Sequence, residues 1–255
     1  MLESYIRSRL KEKKILLMTH IVIGYPSLDE SLAIVRTMVE AGVDLMELQI
    51  PFSEPIADGP VILKANQDAL ADGVTVPQCL EFGQTVASQF SIPFLYMTYY
   101  NILFKYGVDR FADHMRDAGL KGAIVPDLPP EEADDYLSAM ERCGLSPIFI
   151  FSPTTKKERL QTIARVAGGF VYCVARKGVT GDQTAFSRQL DEYLGACRQA
   201  TNLPLALGFG VKDREDVKFL AGKSDIAVIG TQALRVIETQ GIEALGDFIR
   251  GLQRP

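Results

Sequence analysis

The 255-residue chain is 47% apolar and 23% charged, an ordinary balance for a globular protein, and its net charge of −5 gives no electrostatic basis for binding nucleic acid or an acidic membrane surface. No apolar run approaches the roughly 18 to 20 residues of a membrane span, and the N-terminal MLESYIRSRLKEKK is charged and amphipathic, so a cytoplasmic location is expected. Four scattered cysteines without C-x-x-C spacing read as reduced thiols, and the two histidines, His20 and His114, are too far apart in the chain to form a metal-ligand cluster.

In chain order, short apolar runs alternate with amphipathic helical stretches. ILLMTHIVI is followed by SLDESLAIVRTMVEAG, and DLMELQI by GPVILKANQDALADG and PQCLEFGQTVASQF. IPFLYMTYY precedes GVDRFADHMRDAG, GAIVPDL precedes PPEEADDYLSAMERCG, and SPIFIF precedes TKKERLQTIARVAG. GFVYCVA precedes FSRQLDEYLGACRQA, LPLALGF precedes DREDVKFLAG, and DIAVIG opens the last helical stretch, TQALRVIETQGIEALGDFIRGLQ. Strands that alternate with helices imply parallel βαβ units. Eight such units in this length predict an α/β fold, a (β/α)8 TIM barrel with an extra N-terminal helix, as one domain over residues 1–255. A doubly wound open sheet is the alternative, but no G-x-G-x-x-G follows the first strand. The pairs Ala41-Gly42, Ala118-Gly119, Cys143-Gly144 and Ala221-Gly222 read as helix C-caps.

In such barrels the chemistry sits at the C-terminal ends of the strands. Side chains alternate along a strand, so in LMELQI the apolar Met46, Leu48 and Ile50 pack under the helices while Glu47 and Gln49 face the barrel mouth. No inward lysine or arginine is evident to pair with Glu47, and an unpaired carboxylate in an apolar barrel is held protonated more readily and becomes a competent general acid. Asp58, in EPIADGPV, is either the N-cap of the helix opened by Gly59-Pro60 or a second acid converging on the first. LGFGV and VIGTQAL place glycines after strands seven and eight, where such barrels bind phosphate on free backbone N–H groups. RKGVTGDQ, after strand six, has the Gly, Thr and Asp content of a mobile lid and equally of a plain flexible loop. These features predict a phosphorylated small molecule acted on by two carboxylates without a metal, by isomerisation or by retro-aldol cleavage.

The strings EL-x-IPFS-x-P-x-ADGP, R-x-GVTG and GFG, with the order of strands and helices, resemble the tryptophan synthase alpha subunit family from about Leu16 to the C-terminus. The resemblance implies a lyase that splits indole-3-glycerol phosphate into indole and glyceraldehyde 3-phosphate. It implies a partner beta subunit carrying pyridoxal phosphate, an alpha2beta2 heterotetramer, and no cofactor in this chain. By motif, Glu47 is the general acid–base and Asp58 binds the indole N–H, with Tyr172 beside them. Thr180 and Gly181 match the closing loop, and Gly181, Gly210, Gly230 and Thr231 the phosphate site. Pro51, Glu54, Tyr99 and Asn101 fall in segments that meet the beta subunit. Thr231 and Glu54 replace the more usual serine and aspartate, and two departures matter more: Gln49 stands where most members have glycine, and His20 where most have an aromatic or other apolar side chain. Both are expected to face the substrate pocket, where they could bond to each other, or His20 could reach Glu47. Two alternatives to an active synthase subunit stand: a weakly active or non-catalytic barrel that binds and activates a beta subunit, which only these two departures favour, and a stand-alone lyase that releases free indole.

Overall fold

The computed structural model describes every residue except 57, 176–182, 209 and 254–255, with the backbone alone for 183–187. A first helix, α1 (Leu2–Arg9), precedes eight strands: β1 (Leu16–Val22), β2 (Leu45–Gln49), β3 (Phe94–Met97), β4 (Gly122–Ile124), β5 (Ser146–Phe151), β6 (Val171–Val174), β7 (Leu205–Gly208) and β8 (Ile226–Ile229). The strands pair in parallel in sequence order, and β8 closes on β1. Parallel neighbours need crossovers, and helices supply them. α2 (Leu28–Glu40) follows β1, while α3 (Pro60–Ala71) and α4 (Val76–Gln89) follow β2. α5 (Tyr100–Tyr106) and α6 (Val108–Asp117) follow β3, α7 (Asp134–Arg142) follows β4, and α8 (Lys157–Val166) follows β5. α9 (Gln183–Ala200) follows β6, α10 (Arg214–Leu220) follows β7, and α11 (Thr231–Gln240) and α12 (Ile242–Gln253) follow β8. This is the (β/α)8 TIM barrel with an extra N-terminal helix.

The period-two alternation of the strands divides the apolar core into two layers. Leu17, Ile21, Met46, Leu48, Phe94 and Tyr96 face outward into the layer shared with the helices. Leu16, Met18, Leu45, Leu95, Ile148 and Ile226 belong to a separate cluster that fills the barrel. Leu2 and Ile6 of α1 join that inner cluster, so α1 plugs the end of the barrel where the strands begin. Polar ties fix the plug. Arg9 and Lys13 pair with the buried Asp44 at 3.1 and 2.8 Å, the Tyr5 hydroxyl donates to the Asp44 carbonyl, and Leu17 N–H donates to the Asp44 carboxylate.

Helix starts follow local chemistry. Ser27 caps α2 by accepting from Glu30 N–H, Asp213 caps α10 by accepting from Asp216 N–H, and Thr75 with Gln78 forms a capping box on α4. Gly42, Gly119, Gly144 and Gly222 all follow their helices with positive φ, as expected, although at the fourth pair Ala221 leaves the helical conformation that Ala41, Ala118 and Cys143 keep. Two elements differ from the sequence reading. α5 is an extra helix in YNILFKY: the third strand run extends through Tyr100 in the sequence reading, which assigns no element to the residues after it up to Tyr106. The terminal helical stretch is two helices, because Gly241 takes φ +84° and turns the chain between them.

Candidate active site

Because all eight strands are parallel, their C-terminal ends form one face, and the polar interior positions cluster there. Glu47 and Gln49 lie inside the barrel with 3% and 0% exposure, on the side of β2 that Leu45 also uses. β1 and β2 pair so that His20 stands opposite Glu47 and Val22 opposite Gln49. His20 Nδ1 and Glu47 Oε1 are 3.0 Å apart, and His20 is itself 4% exposed. Glu47 is therefore not the unpaired carboxylate that the strand pattern predicts. The sequence reading sought a lysine or arginine, and the partner is an imidazole from the neighbouring strand. Burial pulls the His20 pKa down, but the hydrogen bond and charge of Glu47, then the charge of Asp58 and a smaller contribution from Gln49, outweigh it and leave the imidazole more basic than usual.

Asp58 stands on the loop between β2 and α3. It is not the N-cap: that position is Gly59, with no side-chain cap, and Pro60 opens the helix. The Asp58 carboxylate instead accepts from Gln49 Nε2 at 2.7 Å and from Asn66 Nδ2 at 3.5 Å. Asn66, fully buried in α3, also donates to the Ile62 carbonyl (2.8 Å) and accepts from Phe52 N–H (2.9 Å), which ties loop and helix together. Sequence reasoning missed Asn66; the signal was an asparagine, a weak helix former, inside the helical stretch VILKANQDAL. The shortest hydrogen bonds of the two unusual residues thus run to the two acids, His20 to Glu47 and Gln49 to Asp58, while Gln49 also donates to Asn66 Oδ1 at 3.4 Å and interacts more weakly with His20.

Tyr172 projects from β6 toward the same point. Burial, then the negative charges of Glu47 and Asp58, push its phenol well above the ordinary tyrosine value, so it stays neutral. Its ring lies over Gly208 at the end of β7, where an added Cβ would come within 2.9 Å of it. Both carboxylates thus act on His20 and on Tyr172, as two acids converging from β2 and its own loop should. Three buried polar atoms in this cluster, Glu47 Oε2, His20 Nε2 and Gln49 Oε1, have no hydrogen-bond partner among the described residues.

Beside the acids are the loops after β7 and β8. Gly210 is exposed, and a Cβ there would meet nothing within 4 Å, so its backbone borders open space. Gly230 is the N-cap of α11 and packs near His20 and Ile62 (3.5 and 3.6 Å from an added Cβ), with Thr231 as the first helical residue. A helix start at this point presents free N–H groups to an anion. Thr180 and Gly181, with most of the expected lid, lie outside the described residues. Of the expected partner-facing residues, Glu54 and Asn101 are exposed, whereas Pro51 is buried and Tyr99 is 1% exposed, its ring stacked on Phe52 at 4.7 Å. All four cysteines are free and buried. Among the described residues, no group of three or more His, Cys, Asp or Glu side chains is placed to hold a metal ion, and no helix is long and apolar enough to cross a membrane.

The model of the family described as tryptophan synthase alpha chain matches residues 6–248. A curated tryptophan synthase alpha chain from Syntrophotalea carbinolica is 66% identical over 99% of this chain and 100% of its own length. Another, from Desulforapulum autotrophicum, is 64% identical with the same coverage. Among solved structures, Mycobacterium tuberculosis tryptophan synthase superposes with a TM-score of 0.91 at 32% identity, covering 99% of this chain and 96% of that one.

Proposed function

The chain belongs to the tryptophan synthase alpha chain family, and we propose that its activity, the lyase cleavage of indole-3-glycerol phosphate in tryptophan biosynthesis, is carried by the two acids at the barrel mouth. Glu47 delivers a proton to indole C3 and recovers one from the glycerol hydroxyl. Asp58 receives the indole N–H and stabilises the positive charge that develops on the ring nitrogen. As the carbon–carbon bond breaks, its electrons return to the indole ring and the hydroxyl carbon becomes the aldehyde of glyceraldehyde 3-phosphate. Tyr172 walls the pocket beside the acids. The phosphate lies on Gly210, Gly230 and Thr231 at the start of α11, with Thr180 and Gly181 closing over it.

The observation that carries this reading is the convergence of Glu47 and Asp58, from β2 and its following loop, on the same two side chains, His20 and Tyr172. The family implies a beta subunit as partner, and pyridoxal phosphate belongs to that subunit. The proposal adds that this chain uses no cofactor of its own, acts as a single domain over residues 1–255 in the cytoplasm, and assembles as an alpha2beta2 heterotetramer. Pro51, Glu54, Tyr99 and Asn101 lie in or behind the surface offered to the beta subunit.

Glu47→Gln is the direct test. Glutamine keeps the shape and a carbonyl oxygen for His20 but cannot exchange a proton. Indole release should fall roughly 10² to 10⁴-fold with folding intact. More than about a tenth of wild-type activity would remove Glu47 from the role.

A further inference from the structure

We propose that His20 and Glu47 work as one acid–base unit, in which the imidazole holds the proton that Glu47 exchanges with the substrate. This rests on the reading of Glu47 as the general acid–base. The pair is built into the sheet: His20 and Glu47 are register partners on adjacent strands, with Nδ1 and Oε1 3.0 Å apart. Both lie inside the barrel, and Gly230 with Ile62 closes in near the base of the imidazole. The atoms that face away from the shared bond, Glu47 Oε2 and His20 Nε2, are buried without partners among the described residues. Leaving such atoms unpaired is costly, so the pocket is organised to have them met by a bound polar group.

The charges around the imidazole favour its protonated form. The groups that act on it are the carboxylates of Glu47 on β2 and Asp58 on the following loop, with the neutral amide of Gln49 beside them. Tyr172 on β6 faces the same two acids as a neutral phenol. The unit therefore holds one transferable proton on an imidazole more basic than usual, hydrogen-bonded to Glu47. During cleavage that proton passes through Glu47 to indole C3. The unit, now imidazole and carboxylate, then takes the hydroxyl proton as the carbon–carbon bond breaks. It ends with the proton it began with, so no other acid or base is consumed. A carboxyl group as sole proton donor would lose its proton, as pH rises, before an imidazole does.

The test follows steady-state indole release from acid to alkaline pH for the alpha chain with its beta subunit, in wild type, His20→Asn and Glu47→Gln. In parallel, NMR of isotope-labelled imidazole nitrogens follows His20, with the His114 signals assigned by substitution. Asparagine offers an N–H to Glu47 but holds no exchangeable proton. The expected result is an alkaline fall of kcat in the wild type at the midpoint of the His20 titration. In His20→Asn that fall should move to lower pH, with kcat reduced about tenfold or more at neutrality. Glu47→Gln should lower the His20 midpoint. If His20→Asn keeps the wild-type kcat and pH profile while Glu47→Gln is inactive, the imidazole only orients Glu47 and the proposal fails alone. If Glu47→Gln itself stays active, the underlying reading fails. Should His20→Asn not fold, an unchanged His20 midpoint in Glu47→Gln overturns the proposal, and a lowered one sustains it.

Discussion

At the scale of single residues, the site is governed by which neighbour each acid keeps. Asp58 is on a loop, and loops hold side chains less firmly than strands do. Gln49, on a rigid strand, reaches it at 2.7 Å, while Asn66 reaches it at 3.5 Å and anchors the Phe52 backbone. Gln49 is thus a positioning residue for the second acid rather than a plug in the substrate slot. Hydrogen bonds to a charged group are worth about 1.5 to 3 kcal/mol, and the bond matters most when the acid must sit against a ring N–H. Gln49→Leu keeps the volume but removes the donor, along with the unsatisfied Oε1. Steady-state kinetics of indole release should then show kcat/KM about tenfold lower, while the urea midpoint moves little. Unchanged kinetics would assign the hold on Asp58 to Asn66 instead. Glu47 and Gln49 were legible in the sequence because strand alternation and the resemblance both point at them, and His20 was legible through the resemblance alone. The contact of His20 with Glu47 was one of two arrangements the sequence offered, but the bond from Gln49 to Asp58 was not legible, since it depends on the path of the loop.

At the scale of elements, the sequence carried the strands well because each is a short apolar run bounded by a helix cap or turn. It carried less well those features that depend on one residue's backbone, such as the Gly241 break between α11 and α12, or on context, such as α5. The first helix illustrates the difference. MLESYIRSRLKEKK reads as charged and amphipathic, but nothing local says that Leu2 and Ile6 enter the inner cluster of the barrel. The charges are explained by the same placement, since Arg9 and Lys13 reach down to the buried Asp44. α1 is therefore part of the core rather than a surface extension. Ile6 is fully buried, and Ile6→Ala removes three carbon atoms from a packed interior. The expected cost is about 3 kcal/mol, read as a lower midpoint in urea unfolding with an unchanged m-value. Specific activity of the folded fraction should stay at the wild-type level, because the mouth is at the opposite end. A loss below about 1 kcal/mol would mean that α1 packs loosely and does not seal the barrel.

At the scale of the whole molecule, the two ends of the barrel differ: α1 seals one end, and the two acids cluster at the other. The loops after β2 and β3 at that second end are joined, since Phe52 stacks on Tyr99 and Asn66 holds the Phe52 backbone. Each carries an exposed large apolar side chain. Ile56 is 76% exposed two residues before Asp58, and Phe104 on α5 is 71% exposed. Exposed large apolar side chains grouped beside an active site mark a surface that a partner covers. Here the partner expected from the family is the beta subunit, and pressure on this surface would pass through Phe52 and Asn66 to Asp58. Phe104→Asp tests the connection. The side chain is exposed, so stability should change by no more than about 0.5 kcal/mol, and indole release by the isolated chain should be unaffected. Affinity for the beta subunit, read by titrating it against the rise in indole release, should fall about tenfold or more, as for an aromatic anchor of an interface. Wild-type affinity in this variant would move the partner surface away from α5 and leave the buried Tyr99 with a purely internal role.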